Sequence, residues 1–215
     1  MCRMDTPPRT DSDPDAALRD RLADAVAQEA AFSGWSQTAL RAAAELIGAG
    51  PDAERLFPGG PVDVLAHLSE RADQRTVAEL ENAGAMALKM RERIKLAVRL
   101  RIENTVGGKE SVRRGLALLA LPFNGPLALR LLYRTVDAIW YAAGDTSTDF
   151  NFYTKRATLA GVFSSTLLYW LNDRSEGNAA TWSFLDRRID DVMRFEKWKA
   201  EVRSWTGSRR FSARR

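Results

Sequence analysis

Residues able to do chemistry are sparse in this chain. It holds one histidine, His67, and one cysteine, Cys2. A metal site built on imidazole needs more ligands nearby, and His67 sits in a helical stretch beside Leu65 and Leu68 with no second histidine to join it. Cys2 falls in a Pro/Asp/Arg-rich leader that offers no fixed base, so a Cys/His nucleophile is not expected. Gly107-Gly108-Lys109 has the outline of a phosphate loop, but it lacks the upstream glycine, the preceding strand and a Ser/Thr after the lysine. Asp186, Asp190 and Asp191 alternate with Arg187 and Arg188 in the manner of a solvated helix face. No catalytic residue, metal site or cofactor is expected, and the chain reads as a non-enzyme.

Two other stretches place charge in a more telling way. Phe152, Arg156, Leu159, Phe163, Leu167 and Trp170 follow helical spacing and form one stripe, with Arg156 in the middle of an apolar face. An unpaired charge there costs several kcal/mol, about 3–5 for a broken buried pair, so Arg156 needs an anionic partner. That partner is either Asp149 or another local carboxylate, or a phosphate at the mouth of an apolar cavity. The preceding helix carries Leu132, Val136, Ile139 and Trp140, which either line such a cavity or are plain core. Near the C-terminus, Phe195, Trp198, Val202 and Trp205 share one face among Arg194, Lys197, Lys199 and Arg203. That is the composition of an interfacial helix, against the alternative of a last helix packed on the body.

The elements that must position these residues all have a helical period. Pro14 suits the first position of a first helix with Leu18, Leu22 and Val26, and Asp13 can cap it. Ser36 caps a second helix, Gly48-Ala49-Gly50 makes a tight turn, and Pro51 opens a short third, which together make helix-turn-helix geometry. A long charged amphipathic pattern runs from Val62 to about Glu103, followed by helices from about Lys109 to Leu121, through Leu132–Trp140 and from about Phe150 to Leu171. A last helix runs from about Thr181 towards Trp205. No segment reads as a strand. The predicted class is all-α, with a disordered leader (1–13), a helix-turn-helix-like lobe (14–60), a larger helical lobe (61–193) and a basic amphipathic tail (194–215).

Charge is unevenly distributed. The formal net charge is +4, but residues 194–215 hold eight Lys/Arg and two Glu, so they contribute +6 and the rest sums to −2. Residues 32–60 hold Arg41 and Arg55 against Glu45, Asp52 and Glu54, a net of −1 on the lobe that would have to meet DNA phosphates. A nucleic-acid partner is not expected. The longest apolar run, Gly115–Leu121, is too short to span a bilayer. The lone cysteine suits a reducing compartment, and the expected place is the cytosol or the inner face of the cytoplasmic membrane.

The run Gly144-Asp-Thr-Ser-Thr-Asp-Phe-Asn-Phe-Tyr-Thr-Lys-Arg-Ala157, with Leu185-Asp-Arg-Arg-Ile-Asp-Asp-Val-Met193 and Gly34-Trp35-Ser36, closely resembles the ubiquinone biosynthesis accessory proteins of the "Coq nine" family, over roughly residues 15–193. The resemblance implies a dimeric fold like that of TetR-type regulators, with DNA binding lost and the ligand lobe enlarged. It implies binding of phospholipid or isoprenoid quinone intermediates, with Arg156 at the lipid phosphate; Leu132, Val136, Leu159, Phe163 and Leu167, from the two apolar stripes, are expected around the tail. It also implies a partner, the di-iron demethoxyubiquinone hydroxylase, facing Phe152 and Tyr153 with Ile139 and Asp149 nearby. Many relatives have Trp where this chain has Phe152, and here Met193 runs into Phe195 with no Gly or Pro between. The absence of a transit peptide suits a bacterial relative. The rival class is a ligand-responsive TetR-type transcription regulator.

Overall fold

In the computed structural model, residues 14–145 and 150–192 are described. The membrane-facing residues expected at Phe195, Trp198, Val202 and Trp205 lie outside them, as do Asp13 and Asp149. Every regular element among the described residues is helical: α1 (Pro14–Ser33), α2 (Gln37–Leu46), α3 (Ala53–Leu56), α4 (Pro61–Asn82), α5 (Met90–Glu103), α6 (Gly108–Leu119), α7 (Gly125–Ala142), α8 (Phe150–Asn172) and α9 (179–192). Short 3₁₀ turns lie at Gly50–Asp52, Ala85–Ala87, Pro122–Asn124 and Glu176–Asn178.

The helix ends follow local chemistry. Pro14 opens α1, where its missing N–H is not needed. Ser36 accepts a hydrogen bond from the Ala39 amide at 3.1 Å and caps α2. Gly144 closes α7 in the left-handed region at φ +84°, with its amide donating to Tyr141 O and the Asp145 amide to Trp140 O. Gly107 starts α6 at φ +80°, and a Cβ there would strike the Ala27 carbonyl oxygen. Close approach of α1 thus requires glycine at that position.

The described residues form two compact units: 14–72 with 105–131, and 73–104 with 132–145 and 150–192. The core of the first joins Leu22, Ala23 and Val26 of α1 to Leu40, Ala43 and Ala44 of α2, Ala53 and Leu56 of α3, Phe57 and Val64. Trp35 locks the α1–α2 corner to α6 by donating its indole N–H to Ser111 O at 2.9 Å. In the same unit His67 is buried, with Nε2 2.6 Å from Asp20 and its ring edge-on to Phe57. The histidine therefore ties α4 to α1.

In the second unit the polar centre is Asp73 on α4. It accepts from Arg101 Nε of α5 at 2.5 Å and from the Thr135 hydroxyl of α7 at 2.8 Å, all three side chains being buried. Burial pushes the Asp73 carboxyl above its ordinary range, against the pull of Arg101. Arg93 of α5 caps the end of α7 and the 3₁₀ turn before α5, donating to Ala143 O at 2.9 Å and to Met86 O and Leu88 O at 2.6 and 2.8 Å.

Candidate functional site

The second unit contains a cavity of about 320 Å³, lined by Met90, Arg91 and Ile94 of α5, Trp140 of α7, Thr154, Lys155, Thr158, Leu159 and Val162 of α8, and Ile189 and Val192 of α9. Its lining is mainly apolar, and its size lies at the low end of small-molecule sites, about 300–1,000 Å³. Four helices supply it, their apolar side chains making up most of the wall and Arg91 and Lys155 the charged part. Arg91 pairs with Asp190, and Lys95 with Asp186 at 2.7 Å, two rungs one helical turn apart that clamp α5 to α9 beside the cavity. The hydrogen bond to Asp186 raises the Lys95 pKa above its ordinary value. Asp186 and Asp190 are thus an interhelical ladder as well as part of a solvated face.

The polar edge of this region is a cluster at the α7–α8 corner. Arg156 is 8% exposed and meets Asp137 of α7, with Nε 2.7 Å and Nη2 2.6 Å from Oδ1. Asp145 lies 3.9 Å from Nη1, and the guanidinium carbon stands 3.3 Å from the Phe152 ring centroid. Lys155 donates to Asp145 at 2.7 Å and lies over the Trp140 ring at 5.5 Å. The indole N–H of Trp140 is buried with no acceptor among the described residues. Both cations by the cavity, Arg91 and Lys155, are matched by carboxylates, so the lining is close to neutral.

Of the partners that the sequence leaves open for Arg156, the structure places a carboxylate, Asp137, against it. Of the residues expected around a lipid tail, Leu159 lines the cavity. Val136 and Phe163 are buried, and Leu132 and Leu167 half-buried, none of them in its lining. At the expected partner patch, Tyr153 is 70% exposed and packs edge-on to half-buried Phe152, ring centroids 5.2 Å apart. Ile139 is buried, which corrects its placement there: it supports α7 from within and offers no surface to a partner. The contribution of α5 is not legible in the sequence, because Met90 and Ile94 sit in a highly charged helix whose stripe resembles ordinary packing.

In the first unit, the two arginines of the helix-turn-helix segment are both engaged by carboxylates. Arg41 bonds Glu54 at 2.9 Å, and Arg55 bonds Asp15 and Asp52 at 2.5 and 3.1 Å. Among the described residues no group of His, Cys, Asp and Glu could hold a metal ion. None of the described helices is by itself long and apolar enough to cross a membrane.

Helices α1–α3 and the helical unit that follows define an all-α protein with a TetR-regulator-like fold. A TetR transcriptional regulator from Nitrosomonas europaea superposes with a TM-score of 0.69, covering 81% of this chain and 97% of that one at 23% identity, a likeness of fold alone. Residues 125–196, which contain α7, α8 and α9, match the COQ9 family model. The ubiquinone biosynthesis protein COQ9, mitochondrial, of Drosophila melanogaster is 31% identical over 194 residues, 88% of this chain and 60% of that protein. Its human counterpart is 30% identical over 201 residues, 90% of this chain and 63% of that protein. The chain belongs to the COQ9 family, and it spans roughly three fifths of the length of these relatives.

Proposed function

We infer that this protein is a non-enzymatic, lipid-binding accessory factor of ubiquinone biosynthesis. It holds the apolar tail of an isoprenoid quinone intermediate, or of a phospholipid, and presents substrate to a demethoxyubiquinone hydroxylase at a membrane surface. The cavity between α5, α7, α8 and α9 carries this reading, since a neutral, mainly apolar lining suits a hydrocarbon chain. Burying one five-carbon isoprene unit is worth about 4 kcal/mol against water. Against a bilayer, which is as apolar as the cavity, the same burial gains almost nothing. Presentation at the membrane surface is therefore favoured over free carriage through water, and the basic, aromatic segment 194–215 would supply attachment.

Tyr153 and Phe152 directly precede the cavity-lining Thr154 and Lys155 in α8, so a partner docked there would lie next to the ligand. In this reading Arg156 works as a positioning residue, holding Phe152 and joining α8 to α7 through Asp137; contact with a lipid phosphate would require that pair to open. The fold's helix-turn-helix geometry favours the rival reading of a transcription regulator, while the engaged Arg41 and Arg55 oppose it.

Mass spectrometry of lipids carried through a gentle purification tests the reading, with wild type beside Val162→Trp, which fills the cavity. Wild type is expected to carry quinone or phospholipid and Val162→Trp to lose it with an unchanged circular dichroism spectrum. A wild type that emerges empty and fails to take up a short-chain ubiquinone would overturn it.

A further inference from the structure

The corner between α6 and α7 has a surface that the cavity reading does not use. Phe123 is 76% and Leu129 69% exposed, and Leu121 stands exposed beside them. Residues 115–129 carry no charged side chain, and no Asp or Glu occurs between Glu110 and Asp137, although the chain holds 28 acidic residues. Arginines stand at both ends of the apolar stretch: Arg113 and Arg114, which share Glu110, and exposed Arg130. A protein's scattered exposed apolar side chains need no explanation, but large ones grouped at one corner mark a contact.

The corner is built. The Asn124 side chain is buried and donates to Leu118 O at 2.9 Å, while its amide donates to Leu121 O at 2.9 Å. Pro122 opens the turn, and the chain bends by 93° between Gly108–Leu119 and Pro122–Ala142. These bonds hold the turn's backbone while leaving Leu121 and Phe123 on the outside.

We propose that the α6–α7 corner is a membrane-inserting knob, with Phe123, Leu121 and Leu129 entering the interfacial layer of an anionic bilayer and Arg130 meeting lipid phosphates. The charge pattern selects this occupant. Exposed apolar side chains beside the exposed Arg130, with no carboxylate in the sequence between Glu110 and Asp137, complement a surface that is apolar within and anionic at its edge. This attachment is separate from the one assigned to residues 194–215 and does not depend on the cavity holding a ligand.

A label placed at the corner reads it directly. In full-length Cys2→Ser/Phe123→Cys protein carrying an environment-sensitive fluorophore, vesicles of phosphatidylcholine with phosphatidylglycerol are expected to give a blue shift that pure phosphatidylcholine vesicles give more weakly. Binding is then compared in a Phe195→Ser/Trp198→Ser/Trp205→Ser background. There, Phe123→Ser with Leu129→Ser is expected to weaken vesicle binding roughly ten-fold, with the melting temperature unchanged because both residues are exposed. If the tail substitutions abolish binding and the label shows no shift with the tail intact, the knob is overturned and the tail attachment stands. A label shift that follows protein concentration without vesicles also overturns it, since the corner would then be a contact between copies of this chain.

Discussion

Glycine 107 shows how much one residue's conformation decides here. It sits at φ +80° against the Ala27 carbonyl, whereas Gly108 at φ +73° has open space where a Cβ would go. Both variants incur the left-handed penalty of about 1–2 kcal/mol, but only Gly107→Ala also forces α1 from α6. Urea unfolding is expected to show Gly108→Ala destabilised by about 1 kcal/mol and Gly107→Ala by at least twice that; equal losses would mean that the approach of Ala27 is unimportant. Asp173 behaves differently. It accepts hydrogen bonds from the hydroxyls and amides of Ser175 and Thr181, and the Ser175 hydroxyl leads in holding its carboxyl well below the ordinary range. A carboxyl depressed in the folded state stabilises above its unfolded pKa and loses that effect as pH falls. The melting temperature of Asp173→Asn is thus expected to lie below wild type near neutral pH, the gap closing as the pH drops under about 4. A gap independent of pH would refute the role given to this carboxylate.

At the scale of elements, what holds the cavity is the seam between α5 and α9. Its rungs, Arg91–Asp190 and Lys95–Asp186, are partly exposed, so each is worth about 0–1 kcal/mol and weakens with salt. Asp186→Asn/Asp190→Asn is expected to cost about 1 kcal/mol in global stability. It should also speed the release of a neutral solvatochromic dye from the cavity, with a matching acceleration of wild type in high salt. Unchanged release would place the gate elsewhere. This seam also marks what the sequence could and could not tell. Helix existence was legible from period and punctuation: Pro14, Ser36 and Gly144 stand at the ends their chemistry suits. That Arg156 needed an anion was legible too, from a charge in an apolar stripe. Its partner was not, because Asp137 lies 19 positions back and meets Arg156 only when α7 and α8 fold together. Nor was the cavity, whose walls come from stretches as far apart as Met90 and Val192. Neither period nor capping reports which stripes will face a common void.

At the scale of the whole molecule, fold and charge point to different ligands. The TetR-like architecture offers a shape that elsewhere meets DNA, yet DNA affinity rests largely on neutralising phosphates. Within the lobe of that shape, residues 32–60 have a net charge of −1, and the two arginines of that segment, Arg41 and Arg55, already bond carboxylates. The positive charge lies instead at residues 194–215, which total +6. A gel shift at low salt is therefore not a clean test by itself, since a basic tail binds any polyanion. What separates the readings is where the binding resides and whether it reads sequence. Retardation of DNA by the full chain is expected to be the same for unrelated duplexes. It should fall steeply between roughly 50 and 200 mM salt. It should weaken strongly in Arg209→Gln/Arg210→Gln/Arg214→Gln/Arg215→Gln while Arg41→Gln leaves it unchanged. The same tail variant should lose affinity for anionic vesicles in parallel, because one set of charges serves both polyanions. A tight band confined to one duplex, insensitive to the tail and lost with Arg41→Gln, would instead make the helix-turn-helix lobe a working DNA reader and return the regulator class to first place.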